Sequence, residues 1–452
     1  MSANNPSAAA EVSTRPVSAT SASPRRAWLI AVLLFLFVIV NFAAKAVLGL
    51  AAKPLSAELG LSSTQYGVIS SVFFLVFCLA SVAGGVLADR MPSRWLLLGM
   101  AVVWALSQIP IVAGAGFSVI LASRAVLGAA EGPASPVAVH LLYKWFPPES
   151  RNLPSALLIA AAPLGVVLAA PLLGSLITHH GWRSAFVAVS VAGALWSVAW
   201  FFLGHDGEEH DGEETATAAA VHDRQQQVPA AQEAPGVGYG AVMRTGTFLS
   251  NLVASFAAYW AMALLLAFVP AYLEDVLGYD TAEASRTVAL PWTLAAAAVL
   301  LSPVLIPWLL RRGVSDRTAN NGVSVTAAAL AGLALLGLAQ GPAGWFRILC
   351  LALGFSLAAV VFPIALTSLG RLTPARLRGG TLGIYAALYS FGAVVAPLVT
   401  GKLLDSRGHT AAAYNTAFVI SAVLALVGAA AVALFNNPER DRNRILGSSA
   451  TP

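Results

Sequence analysis

Twelve predominantly apolar stretches of roughly 20 residues divide the chain, at about 27–50, 65–88, 95–114, 117–143, 154–178, 184–204, 246–273, 286–310, 322–340, 344–369, 379–403 and 412–435. At 1.5 Å of rise per residue each is long enough to cross the hydrocarbon core of a bilayer as a helix. The stretches are joined mostly by short polar turns, so the pattern predicts an all-α membrane protein. Residues 1–24, rich in Ser, Ala and Pro without an apolar run, read as a disordered tail. Arg25 and Arg26 precede the first stretch as they would in a signal peptide. Its apolar region is too long for one and no small-x-small site closes it, which predicts a retained helix. The polar, acidic segment 205–245 reads as a linker separating a six-helix bundle at 25–204 from another at 246–437, with 438–452 as a second tail.

Composition supports that division. The 452 residues are 58% hydrophobic and 10% charged, against about 25% charged in a soluble chain, which excludes a water-soluble enzyme of this size. The net charge of +5 is too modest and too scattered to suggest nucleic acid as a partner. If the N-terminus is placed in the cytoplasm, eighteen of the 26 basic residues fall in cytoplasmic segments and six outside, with Lys45 and Arg124 inside spans. That bias predicts both termini inside, in the cell membrane. Cys78 and Cys350 both lie in apolar runs and can build neither a disulfide framework nor a zinc site. His205 and His210 stand among Asp206, Glu208, Glu209, Asp211, Glu213 and Glu214. A solvated charge run accounts for them without zinc-type spacing, so no metal or cofactor is expected. No nucleophile triad or phosphate-binding loop argues for catalysis.

The two halves echo each other. Arg151 is followed fourteen positions later by Gly165 and then by Pro171 and Gly174; Arg378 is followed at the same distance by Gly392 and then by Pro397 and Gly401. Duplicated bundles of this kind commonly hold a substrate between their halves near mid-membrane. After the second stretch the chain reads Gly84-Gly85-Val86-Leu87-Ala88-Asp89-Arg90, with Arg94 four positions on. This resembles the signature of the major facilitator superfamily. The resemblance implies a gating role for Gly85, Asp89, Arg90, Arg94 and Arg151, charged groups pairing with neighbouring helix ends to hold one face shut in one state. The second-half counterpart, around Arg311-Arg312-Gly313, has lost its acidic residue, so an asymmetric latch is expected. Arg124 to Pro136, Trp145 to Arg151 and Gly181 to Phe186 resemble the anion:cation symporter branch, whose members carry sugar acids and other organic anions.

Glu131 is the one carboxylate placed well inside a span. A mid-membrane ionisable group is a functional candidate because burying it is costly unless a partner or a proton neutralises it. Burial disfavours the ionised form and a nearby cation favours it, so Glu131 is expected to carry the coupled proton. A structural carboxylate paired with Lys45, or with Arg124 seven residues earlier on its own helix, is the alternative. Pro133 and Pro136 follow it and remove backbone donors. The resemblance implies the same coupling role for Glu131, a proton-coupling role for Arg124, and anchoring of a substrate carboxylate by Lys45, where the branch carries arginine. Ala44 replaces the branch's acid, implying at most one coupled proton. The further substrate-binding candidates are Asn41, Phe77, Tyr259, Trp260, Tyr385, Tyr389 and Ser390. With so few hydroxyl partners, the cavity is expected to suit an apolar or aromatic carboxylate better than a sugar acid. The expected activity is proton-coupled symport of a small organic anion by a monomer, the other reading being proton-driven export of an amphipathic compound.

Overall fold

The computed structural model describes residues 24–113, 116–147, 150–207 and 238–448; the side chains of 82–90 are not among those described. The first tail, the larger part of the acidic linker and His210 lie outside the described residues. Twelve spans are helical. In chain order they are α1 Pro24–Leu50, α2 Ser63–Arg90, α3 Ser93–Ser107 continued by Ile109–Val112, α4 Phe117–Glu131 with Ala134–Trp145, α5 Asn152–His180 and α6 Trp182–Leu203. The second half holds α7 Gly246–Ala267 with Val269–Asp275, α8 Thr281–Arg311, α9 Asp316–Gln340, α10 Trp345–Ser356 continued through Leu372, α11 Ala375–Arg407 and α12 Ala411–Phe435. Among the described residues eleven are long and apolar enough to cross a membrane; α4 is interrupted and falls short as two pieces. Short helices span Ala52–Leu59 and Tyr239–Met243, and a terminal helix, α13, spans Pro438–Ser448.

The interruption of α4 follows from its prolines. Pro133 and Pro136 cannot donate, so the carbonyls of Ala129 and Gly132, four residues earlier, lose their helical partners. A carbonyl left bare inside a membrane is costly. The Ser81 hydroxyl of α2 donates to the Gly132 carbonyl at 3.0 Å and to Phe77 at 2.7 Å. The break therefore sits directly after Glu131 and is closed by a neighbouring helix.

The internal repeat is visible as packing. A side chain at Gly165 would meet Ile39 and Phe42 of α1, and one at Gly392 would meet Phe256 and Trp260 of α7, so the fifth helix of each half approaches the first helix of that half at the matching position. Between halves, α2 packs on α11, α5 on α8 and α1 on α7. The closest approach lies at the face opposite the described chain ends, the distal face. There a Cβ at Gly67 would collide with the Pro397 carbonyl and one at Gly401 with the Ser63 carbonyl. The halves are thus closed against each other distally.

Residues 438–448, expected as tail, instead form a docked helix. Asp441 is 2% exposed and accepts bonds from the Thr247 backbone N–H and hydroxyl, both at 2.8 Å, tying α13 to the start of α7. Removing the carboxylate leaves two buried donors bare, at about 1–3 kcal/mol. Asp441→Ala is expected to lower the thermal midpoint of the detergent-solubilised protein, with Asp441→Asn intermediate; equal midpoints for all three proteins would show that α13 contributes no stability.

Candidate functional site

Lys45 and Glu131 meet between α1 and the end of the first α4 segment. The ammonium lies 3.3 Å from Glu131 Oε2, with side chains 9% and 0% exposed. Nζ also donates to Asn41 Oδ1, one turn back on α1, at 2.6 Å, and sits 4.3 Å and 5.1 Å from the Phe42 and Phe77 ring centres. One ammonium thus serves a carboxylate, an amide oxygen and two aromatic faces in a buried setting. Such a site strengthens each interaction and makes the loss of any partner expensive.

Arg124 lies two turns before Glu131 on the same helix and does not reach it. Its Nη1 donates to the Ala44 carbonyl at 3.3 Å and its guanidinium stands 5.6 Å from the Phe186 ring centre. Nε and Nη2 have no hydrogen-bond partner among the described residues, although the side chain is 2% exposed. Lys45, Arg124, Tyr66, Ser70, Phe73 and Phe74 line a cavity closed on the α7 side by Leu266 and Ala267. The Tyr66 hydroxyl donates to the carbonyls of Leu48 and Ala267, at 3.2 Å and 3.0 Å, and so joins the two halves beside that cavity.

The second half contributes less than its sequence suggested. Tyr259 does face the first half, its ring 6.5 Å from Phe74, and it is packed with Phe362 and Tyr389. Trp260 instead donates to Ser421 of α12 at 3.0 Å. The Tyr385 hydroxyl is 2.5 Å from Ser255 and donates to the Asn251 carbonyl at 3.1 Å. Ser390 is bonded back to the Ala386 carbonyl of its own helix. Trp260 and Tyr385 thus tie helices of the second half together, and the Ser390 hydroxyl is spent within α11.

Trp292 of α8 was not among the sequence candidates. It is 7% exposed, its ring centre lies 6.1 Å from that of Phe42, and its Nε1 has no hydrogen-bond partner among the described residues. A tryptophan inside an otherwise Ala- and Leu-rich span is the signal that points to it.

The gating residues also differ from expectation. Backbone helix continues through Gly85, Asp89 and Arg90, two residues past the expected span end at 88, and their side chains are outside the described set. Arg94 donates to the Phe201 carbonyl at 2.7 Å, and Arg151 donates to the carbonyls of Phe146 and Tyr143 at 2.7 Å and 2.9 Å. Each of these bonds fastens helix ends within the first half rather than bridging the halves. In the second half Asp316, at the start of α9, pairs with Arg371 of α10.

With this geometry in place, likeness to known proteins narrows the chemistry. The sequence profile of the Major Facilitator Superfamily matches residues 34–379 and 351–451. The chain is 27% identical over 419 residues to a hexuronate transporter of Bacillus subtilis (strain 168), covering 90% of this chain and 94% of that one. It is 25% identical to a probable L-galactonate transporter of Escherichia coli (strain K12), covering 90% of each. In fold it is similar to a bacterial homologue of the human lysosomal transporter Spinster in an inward-facing, occupied conformation, with a TM-score of 0.74 and 17% identity over 95% of this chain and 99% of that one.

The Lys45–Glu131 pair predicts a non-additive response. Lys45→Met leaves a buried carboxylate without its cation, a loss on the order of 3 kcal/mol. Adding Glu131→Gln removes the stranded charge and is expected to restore most of the thermal stability. A double variant no more stable than Lys45→Met would show that the two side chains are not coupled.

Proposed function

The chain belongs to the Major Facilitator Superfamily, and we propose that it imports a small hydroxylated organic anion together with a proton, the distal face being the outside of the cell membrane. The observation that carries this reading is the sharing of one ammonium. In the distally closed state Lys45 is held by Glu131 at 3.3 Å. A substrate carboxylate that needs the same ammonium competes with Glu131, and protonation of Glu131 settles the competition in the substrate's favour. Proton and anion then bind cooperatively, and a lysine freed without a substrate would be a bare buried charge. A single carboxylate supports one proton per anion.

The orphaned donors bear on substrate class. Arg124 Nε and Nη2 and Trp292 Nε1 flank the region of Lys45 and Phe42, and bare donors inside a membrane are costly until a ligand oxygen satisfies them. An apolar carboxylate would leave several unmet; a sugar acid supplies both carboxylate and hydroxyls. The named substrates of the similar transporters, hexuronate and L-galactonate, point the same way. The apolar cargo expected from the span sequences therefore gives way to a hydroxylated one. Both described chain ends lie on one face, opposite Lys53 and Glu58, consistent with the excess of basic residues there.

The test is uptake into proteoliposomes under an inward proton gradient, with galactonate and glucuronate beside benzoate. At one proton per monoanion, a gradient of one pH unit supports about tenfold accumulation, since each 1.4 kcal/mol is a factor of ten. Glu131→Gln is expected to keep counterflow exchange while its accumulation ratio falls to about one. Gradient-driven movement of amphipathic cations or neutral compounds outward, with no uptake of any carboxylate, would replace this reading with export.

A further inference from the structure

At the distal face, Asp275 is the shared acceptor of three groups. Its Oδ2 accepts from the Tyr414 hydroxyl at 2.9 Å and is 2.7 Å from His409 Nδ1, while its Oδ1 lies 2.9 Å from Lys53 Nζ. His409, in the turn between α11 and α12, also places Nε2 2.9 Å from the Ser63 hydroxyl. Beside it, Asp405 accepts the backbone N–H groups of Ser63 and Thr64, each at 2.8 Å, at the N-terminus of α2. His409, Asp275, Tyr414 and Asp405 belong to the second half; Lys53, Ser63 and Thr64 belong to the first. With the Tyr66 hydroxyl, which also joins the halves, these are polar contacts of the distal closure.

We propose that His409 is a second proton site, distinct from Glu131, that takes up a proton when the distal gate opens and releases it when the gate closes. The sign follows from which half each neighbour occupies. With the gate open, His409 keeps Asp275 and Asp405, both carried by its own half, and both favour imidazolium. Closure brings Lys53 onto Asp275 and the partial positive charge of the α2 N-terminus onto Asp405. Both arrivals oppose a charged imidazole. Ser63 is indifferent, because its hydroxyl can donate to a neutral Nε2 or accept from a protonated one. Glu274 and Asp280 beside Asp275, and Arg407, bonded to Thr416 at 3.0 Å, lie in the second half and are present in both states.

The electrostatics of the closed gate agree with this competition. The bond to Asp275 holds His409 above the ordinary imidazole range against the effect of burial, with Asp405 helping and Lys53 opposing. Burial alone would raise the Asp275 carboxyl, but His409, Lys53 and Tyr414 together hold it below the usual range. Removing Lys53 by opening the gate lifts the His409 value further. A group that binds its proton more tightly in the open state stabilises that state as pH falls, so external acid opens the gate. The orientation of the distal face toward the outside rests on the proposed function; the proton linkage itself does not, and its test needs no substrate.

Spin labels at Ala57→Cys and Ala412→Cys, exposed positions on the two sides of the gate, report its opening as a distance distribution. The full chain is placed in lipid nanodiscs with Cys78 and Cys350 replaced by alanine and with Glu131→Gln, so that the central carboxylate does not contribute. Taking the pH from about 8 to about 5, across the range in which histidine titrates, is expected to raise the long-distance population at least about threefold. His409→Gln is expected to abolish that response. Lys53→Gln, a change at a half-exposed side chain, is expected to raise the open population at the higher pH and to shrink the further rise on acidification. A shift toward shorter distances in acid, a pH response that persists in His409→Gln, or an unchanged response in Lys53→Gln would overturn the proposal. Failure of organic anion uptake with this gate response intact would count against the substrate reading alone.

Discussion

A charge inside a bilayer must be answered by another charge or by a proton, and the central region of this protein is arranged around that requirement. Lys45 and Glu131 answer each other at 3.3 Å, and the surrounding aromatic rings and Asn41 use the remaining capacity of the ammonium. In the proposed cycle the pair opens by exchange, a proton replacing Lys45 on the carboxylate and an anion replacing Glu131 on the ammonium. A two-state carrier needs a bond that is stable until both exchange partners arrive. Arg124, two turns away with donors to spare, extends the positive region without competing for Glu131.

The same economy of partners recurs at the gate. Asp275 serves a histidine and a tyrosine of its own half and a lysine of the other, so under the proposed gating it keeps two partners when the halves part. At the N-terminus of α2 the Ser63 and Thr64 N–H groups are met by Asp405 of the other half, and the Gln65 N–H by Ser62 of the same half. Around these polar contacts, Gly67 and Gly401 allow backbone to approach backbone, giving a closed state made of packing and a few exchangeable hydrogen bonds. Interfaces of this type switch between discrete arrangements rather than bending continuously.

Where the sequence misled, the cause was orientation about a helix axis. Trp260 and Tyr259 are neighbours on α7, yet one turns to Ser421 and the other to Phe74. Tyr385 and Tyr389 are one turn apart on α11, and the first is committed to Ser255 while the second packs on Tyr259 and Phe362. In a helix apolar on all sides, as a membrane span is, the hydrophobic pattern has no weak face to mark which side meets a cavity. The break in α4 is the converse case. Pro133 and Pro136 announce it in the sequence, but the hydroxyl that closes it comes from Ser81, fifty-one residues away.

What the chain determined by itself was set by solvent. Long apolar runs must be helices in a bilayer, basic residues bias the orientation, and a lone carboxylate amid hydrocarbon is conspicuous whatever surrounds it. The internal echo of Arg151 to Gly165 and Arg378 to Gly392 likewise survives as letters. Tertiary structure decided which cation answers Glu131, because Lys45 lies eighty-six positions away and only helix packing brings it closer than Arg124. It also decided which donors stand bare around the site among the described residues, and that His409 in a turn, Asp275 at the end of α7 and Lys53 in a short helix, unremarkable polar residues far apart in sequence, meet as one cluster. Pairing energies depend on distance in space, and in a twelve-helix bundle that distance is settled by packing between helices rather than by order along the chain.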